Sequence, residues 1–389
     1  MTDNSRAYSI YTNEKQDKLK GKLEDLFRGL LKTKGVNLAF TAVESGDGSF
    51  YWARAEAREG NGAQLKPESP FWIASITKLF IAAAILKLQE KKELNIDHPA
   101  REYLPQGLIE GTHKAKNGPD KSGQIAIRNL LGHTSGLPDY IEIKPKGGKS
   151  LFELALDEGD LSWTIDESMQ IVKDAGKPLF DPQPLDRHNK KARYSDTNFQ
   201  LLIAIIEEVT GKPIELVFKE MFYKTLNMQS TYHPGSSPIN PDTPPPAPVW
   251  AGDKKLSVPL AMKSFGDLYS TLADLLNFMR SLYSGAIFED PKTTELMRKE
   301  WNRFGFMISP IAPGWPIEYG LGMMRFEIPR FASPFKAIPA VIGHTGASGT
   351  WLFYCPGVDL YLAGAVSQVE AAAVPYRFVP KALSLLSAK

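Results

Sequence analysis

Leucine and phenylalanine recur at Leu19, Leu23, Leu26, Phe27, Leu30 and Leu31 on a charged background, a helical period that predicts an amphipathic helix over residues 14–34. The period then shortens. Residues 36–44 and 49–55 read as strands, with Ser45-Gly46-Asp47-Gly48 as a hairpin turn between them. After a loop containing Pro67 and Pro70, the apolar run through Leu88 predicts an amphipathic helix that Ser75 opens. Beyond Glu93 the pattern is helical with long loops. Helices are predicted from residue 125 to 131, stopping at a Gly- and Pro-bounded turn over 132–140, then over 163–175, 198–210 and 214–223, with Gly211 as a C-cap and Pro213 beyond it. Residues 234–259 are too rich in proline for a central strand or helix and predict an ordered surface excursion or a mobile flap. A helix over 271–283 precedes strand-like runs at 317–326, 340–344, 349–355 and 359–367, and a helix over 376–386 closes the chain. Strands near both ends with helices between them predict an α+β fold. One antiparallel sheet flanked by helices is expected from residues 1–93 and 265–389, with a helical subdomain, residues 94–264, inserted into it.

Composition narrows the function classes. The chain has 389 residues, enough for a sizeable core at 43% hydrophobic content. Lys+Arg 46 against Asp+Glu 44 leaves a formal +2, so no global charge points to nucleic acid or a membrane surface. Basic residues gather at Lys114–Lys121 and Lys144–Lys149, interleaved with Gly and Pro, and read as solvated loops. The single cysteine, Cys355, excludes an internal disulfide and a cysteine-based metal cluster, and its strand-like surroundings make it a small buried hydrophobe. The first six residues lack the apolar core of a signal peptide and no run of eighteen apolar residues exists, so a soluble cytoplasmic protein is expected.

Candidate chemistry begins at Ser75 and Lys78, three positions apart and therefore on one face of a helical turn. A serine hydroxyl needs a neighbouring base at neutral pH, and a desolvated lysine can serve. Phe71, Trp72 and Ile73 before the pair, and Leu79, Phe80 and Ile81 after it, are expected to bury Lys78 and lower its pKa. Alone, the pattern is common by chance and describes first an N-cap serine and a solvated lysine. Tyr194-Ser195-Asp196 precedes a helix, where a phenol beside a cationic lysine is expected to have a lowered pKa and relay protons; the plain alternative is a helix start capped by Ser195 or Asp196. His344-Thr345-Gly346-Ala347-Ser348-Gly349 ends an apolar run. Its small residues let a substrate approach the backbone, whose N–H groups can stabilise an oxyanion, or it is simply a Gly-rich turn.

In combination and order, these segments resemble the serine β-lactamase and penicillin-binding-protein family, in its class C β-lactamase-like, family VIII carboxylesterase and D-alanyl-D-alanine carboxypeptidase branches. Leu130-Leu131-Gly132-His133-Thr134-Ser135-Gly136-Leu137 resembles that family's L-L-x-H-T-S-G-L turn, Tyr194 to Pro213 its Y-S-N…T-G-K-P helix, and Ser270 to Leu275 its S-T-x-x-D-L helix. The resemblance covers nearly the whole chain. It implies a β-lactamase/transpeptidase-like fold with the active site between the two subdomains, Ser75 as the acylated nucleophile, Lys78 as its proton acceptor and Tyr194 as the partner in proton transfer. It further implies that His344 and Gly346 line the far strand, and that the N–H groups of Ser75 and Ala347 form the oxyanion hole. No metal or organic cofactor is implied, and the only partner is a small ester or amide.

Two departures bear on substrate choice. Asp196 stands where the family commonly has Asn, and an ionised Asp accepts hydrogen bonds but cannot donate to an acylamino carbonyl. His344 stands where many members have Lys, which removes a fixed charge for a substrate carboxylate. Both shift the expectation from β-lactams to short-chain carboxylic esters cleaved through an acyl-enzyme on Ser75. A β-lactamase, a D-amino-acid peptidase or carboxypeptidase, and a non-catalytic binding member are the alternatives.

Overall fold

A computed structural model describes residues 13–58, 64–304, 317–328 and 337–386. The amphipathic N-terminal segment is α1 (Asn13–Leu31), and the hairpin after it is β1 (Leu38–Ser45) and β2 (Tyr51–Ala57). Asp47 tightens their turn by accepting from the Ser45 and Ser49 hydroxyls. Six later strands follow: β3 (Asn302–Arg303), β4 (Glu318–Tyr319), β5 (Met324–Phe326), β6 (Val341–Gly346), β7 (Thr350–Cys355) and β8 (Leu360–Ala365). Among the described residues they form one eight-stranded antiparallel sheet, ordered β2-β1-β8-β7-β6-β5-β4-β3. The two ends of the chain meet where Phe40 to Ser45 pair with Ala365 to Leu360. The strand predicted over 317–326 is two short strands. Between them Gly322 takes φ +72 and lies so close to Ala82 that a Cβ there would stand 2.2 Å from the alanine's own.

Helices cover both faces of the sheet, which is why β7 and β8 are buried at every position and read as continuous apolar runs. The alternation of the strand sorts their side chains. Trp351, Phe353 and Cys355 face Leu23 and Phe27 of α1 and Val379 and Leu383 of the closing helix. Leu352 and Tyr354 face the other layer, which contains α2 (Thr77–Glu90), α3 (Asp196–Thr210) and α4 (Leu272–Ser284). The closing helix is α5 (Pro375–Leu386). Helix α2 is buried all round rather than amphipathic, because it runs between the sheet and the inserted helices. Phe80 stacks on Phe278 at 3.6 Å and meets Phe222 edge-on, and burying each such side chain contributes about 1.5–3 kcal/mol.

The segment from residue 94 to 264 is mostly helix and loop, with helices at Ile127–Leu131, Leu151–Asp157, Ile165–Ala175 and Ile214–Phe218, the last continuing as a wider π turn. The proline-rich stretch ends in a hairpin that its composition did not announce, Val249–Ala251 with Lys254–Leu256. Its prolines lie outside these two short strands, so no ladder hydrogen bond is lost. Among the described residues no helix is long and apolar enough to cross a membrane.

Candidate active site

The chain reaches Ser75 through a two-residue strand, Phe71–Trp72, paired with Tyr269–Ser270 and extended by the bond from Ile73 N to Leu268 O (3.0 Å). Ser75 does not open α2. It sits in a separate 3-10 turn, Ala74–Ile76, where Ala74 takes the left-handed φ of +48, a conformation that costs an alanine about 1 kcal/mol or more. The end of strand β6, the turn after it and the start of β7 hold this segment in place. Thr350 Oγ1 donates to Ile73 O (3.0 Å) and Ser348 Oγ to Trp72 O (3.4 Å). Gly346 makes the contact feasible, because a Cβ there would lie 2.8 Å from Ala74 Cβ and from Ile73 O, and 2.2 Å from Thr350 Oγ1. The close approach expected of a substrate at Gly346 is made by the serine turn itself. Of residues 71–86 only Ser75 is not buried.

Ser75 Oγ receives two hydrogen bonds, from Lys78 Nζ (3.2 Å) and from the Tyr194 hydroxyl (2.9 Å). Lys78 is buried, ion-paired with Asp196, and lies 5.2 Å from the centre of the Tyr194 ring and 5.3 Å from that of Phe199. The expectation that apolar flanks lower its pKa is corrected. Burial does push Lys78 down, but the charges of Asp196 and Asp267 outweigh it and hold the amine above the ordinary lysine value. Tyr194 is corrected in the same sense. Burial, then the charge of Asp196, raise its phenol well above the usual tyrosine range despite the bond to Ser75. The resting site therefore holds an ammonium and a neutral phenol, both donating to the serine oxygen.

The turn over residues 132–140 explains why Tyr194 and Asp196 stand where they do. His133 Nδ1 accepts from Asn198 Nδ2 (3.0 Å) and Ser195 N (3.3 Å), Ser135 Oγ donates to Asn198 Oδ1 (2.6 Å), and Pro138 O accepts from the Ser195 and Thr197 hydroxyls. Ser195 and Asp196 are thus not side-chain caps of their own helix. The start of α3 is capped from outside, by the Asp139 carboxylate accepting from Asp196 N (3.1 Å), which frees Asp196 for Lys78. Burial and the neighbouring charge of Asp196 lift the Asp139 carboxyl well above its usual range.

His344 does not line the site. Its ring is fully buried, its Nδ1 donating to Thr345 O (2.6 Å) and its Nε2 accepting from the Tyr319 hydroxyl (3.0 Å), and burial followed by the charge of Lys78 pushes its pKa down to about 3. A neutral imidazole occupies the layer behind Tyr194, where it satisfies a buried phenol instead of meeting a ligand. Gly346 and Ala347 do lie along the cavity, with Ala347 exposed at its rim.

The cavity holds about 280 Å³ and draws on both stretches of the chain, Ser75, Lys78 and Thr345 from one and Asp139, Tyr194 and Asp196 from the other. Ile141, Phe152, Phe265, Phe304 and Met324 give it apolar walls. Asp267 also lines it, buried, with its Oδ2 accepting from Trp72 Nε1 (2.9 Å). Neither Asp139 nor Asp267 stood out in the sequence. Each lies in a turn beside a recognisable motif, and only the fold turns it toward Ser75. Among the described residues no group of His, Cys, Asp and Glu is arranged to hold a metal ion.

Comparison with known proteins adds to this geometry. The family model described as Beta-lactamase matches residues 23–379. The chain is 24% identical over 316 residues to the D-alanyl-D-alanine-carboxypeptidase/endopeptidase AmpH of Escherichia coli (strain K12), a match covering 80% of this chain and 74% of that protein. It is 26% identical over 217 residues to the esterase EstB of Burkholderia gladioli, covering 54% of this chain and 50% of that protein. The fold is shared with the D-amino acid amidase of Ochrobactrum anthropi SV3, at a TM-score of 0.71 and 20% identity over 96% of this chain and 99% of that one.

Proposed function

Because the chain belongs to the beta-lactamase family and is a serine hydrolase, we propose that it cleaves short-chain carboxylic esters through an acyl-enzyme on Ser75. The observation that carries this reading is the meeting of the Lys78 and Tyr194 donors at Ser75 Oγ on the wall of a small, largely apolar cavity. In the reaction, Lys78 first releases a proton to solvent, which primes the site for the cycle, and the resulting amine takes the proton of Ser75 as Oγ attacks the acyl carbon. The N–H groups of Ser75 and Ala347 hold the tetrahedral oxyanion. Tyr194 then gives its proton to the departing alkoxide and recovers one from Lys78. Water releases the acid by the reverse sequence, so every proton is returned.

The ester preference is supported by Asp196, which is engaged with Lys78 and cannot donate to an acylamino carbonyl. A second reading, hydrolysis of amides or β-lactams, draws support from the carboxypeptidase named among the relatives. One substrate panel separates them: p-nitrophenyl butyrate, a D-amino acid amide and nitrocefin, each with the parent protein and with Ser75→Ala. The expected result is turnover of the ester, abolished in the variant together with covalent labelling by a fluorophosphonate. Ester turnover that survives Ser75→Ala sinks the acyl-enzyme reading, and preferential turnover of nitrocefin or the amide replaces the ester assignment.

A further inference from the structure

The site contains more carboxylates than its one ammonium needs. Asp196 forms the direct ion pair with Lys78, and Asp139 is occupied with the backbone N–H groups of Asp196 and Ile141. Asp267 has neither task. It lies just ahead of the short strand that pairs with Phe71–Trp72 and lines the same cavity as Ser75 and Lys78; its Oδ2 accepts from the indole of Trp72, three residues before Ser75, and the Thr77 hydroxyl lies on its side as well. Buried anions with so few donors are costly, and proteins keep them chiefly where a nearby cation or a reaction uses the charge. The cation is at hand in Lys78, which shares the cavity wall with Asp267 and on which the charge of Asp267 acts second after that of Asp196.

We propose that Asp267 is a positioning residue for Lys78: a second counter-ion on the wall of the same cavity, anchored by Trp72, which together with Asp196 sets how readily the lysine gives up its proton. This rests on the reading that Lys78 serves as the base for Ser75. The groups facing Lys78 are Ser75 from the 3-10 turn, Tyr194 from the segment before α3, Asp196 and Phe199 from α3 itself, Tyr319 from β4, His133 from the 132–140 turn and His344 from β6. Those facing Asp267 are Lys78 and Thr77 of α2, Trp72, Asp196, Tyr140 and Tyr194. Of all these only Lys78 is cationic, since the two histidines are held neutral by burial. Removing the Asp267 charge therefore acts on the lysine.

The consequence runs against the usual outcome of mutating a buried residue in an active site. Asp267→Asn keeps the shape and loses the charge, so Lys78 gives up its proton at lower pH. Between pH 7 and 9.5 the parent protein's ester kcat/KM and its rate of labelling by a fluorophosphonate should both rise with pH, because Lys78 is almost wholly protonated there. The variant should follow a parallel line displaced toward acid by about one pH unit, which after allowance for the weaker base is a gain of about three- to tenfold at any one pH. A residue that only supports the fold would slow the reaction at every pH without displacing the line. Trp72→Phe provides a second route: it leaves the carboxylate but removes its donor, making Asp267 less readily ionised, and should displace the line the same way by a smaller amount. Ser75→Ala, expected to abolish both signals, checks the acyl-enzyme reading separately. With that control dead, a rate in Asp267→Asn and Trp72→Phe that is unchanged or uniformly lower overturns the role given to Asp267 alone.

Discussion

Replacing Gly346 by alanine puts one methyl group into the contact that fixes the serine turn. Its carbon would lie 2.8 Å from Ala74 Cβ and 2.8 Å from Ile73 O. Ordinary carbon contacts need about 3.5–4.0 Å, so the turn or the strand must move by roughly 0.7–1.2 Å. Thr350 cannot simply rotate away from its 2.2 Å overlap, because its hydroxyl is bonded to Ile73 O. Overpacking of this kind destabilises by about 1–3 kcal/mol. The larger effect should fall on rate. Ser75 is the residue after Ala74, and a shift of about 1 Å lengthens its 2.9 and 3.2 Å bonds to Tyr194 and Lys78 beyond hydrogen-bonding range, a misplacement worth about 10²-fold in kcat/KM. Thermal unfolding and ester kinetics on Gly346→Ala, Ala74→Gly and the double variant measure both terms. Ala74→Gly removes one of the clashing atoms and suits the φ of +48, so the double variant should recover part of the loss, with a coupling of about 1 kcal/mol. Gly346→Ala with the parent's kcat/KM, whatever its stability, would refute the idea that this contact places the nucleophile.

Two further outcomes are expected. Asp196→Asn removes the direct partner of Lys78 and should displace the alkaline rise of kcat/KM toward acid by about 1–3 pH units while improving nitrocefin relative to p-nitrophenyl butyrate, since an asparagine amide can donate to an acylamino carbonyl; a parent profile that already levels off below pH 8 would contradict the raised Lys78. His233 is buried beside Phe218 with no hydrogen-bond partner on either ring nitrogen among the described residues, and burial pushes its pKa down to about 3. The unfolded chain then binds a proton that the fold does not, so this contribution to stability is whole above about pH 6.5 and is lost as the pH falls toward 3. His233→Phe should raise stability by about 1–3 kcal/mol and flatten the acid side of a plot of melting temperature against pH; an unchanged acid slope would remove His233 from that account.

Much of the architecture was legible in residue order. The 3.6-residue period of α1, the turn chemistry of Ser45–Gly48, the Gly211 C-cap and the continuous apolar runs of β7 and β8 are local signals, and each element forms where its signal lies. Ser75 and Lys78 stood out by their spacing and flanks, the family resemblance added Tyr194, and the fold brings their polar atoms together. Charge was not legible. The apolar neighbours of Lys78 correctly indicated burial but gave the wrong direction for its pKa, because the carboxylates that reverse it, Asp196 and Asp267, are 118 and 189 positions further along the chain. Electrostatic effects depend on distance in space, and one sequence does not contain those distances. The same holds for His344, whose alternation along β6 could have placed it on either face, and for Gly346, whose missing side chain accommodates Ala74 and not a ligand. Sequence determined the elements and the reactive groups; tertiary packing decided their protonation and which of them reach the cavity, because both depend on which distant segments exclude water around them.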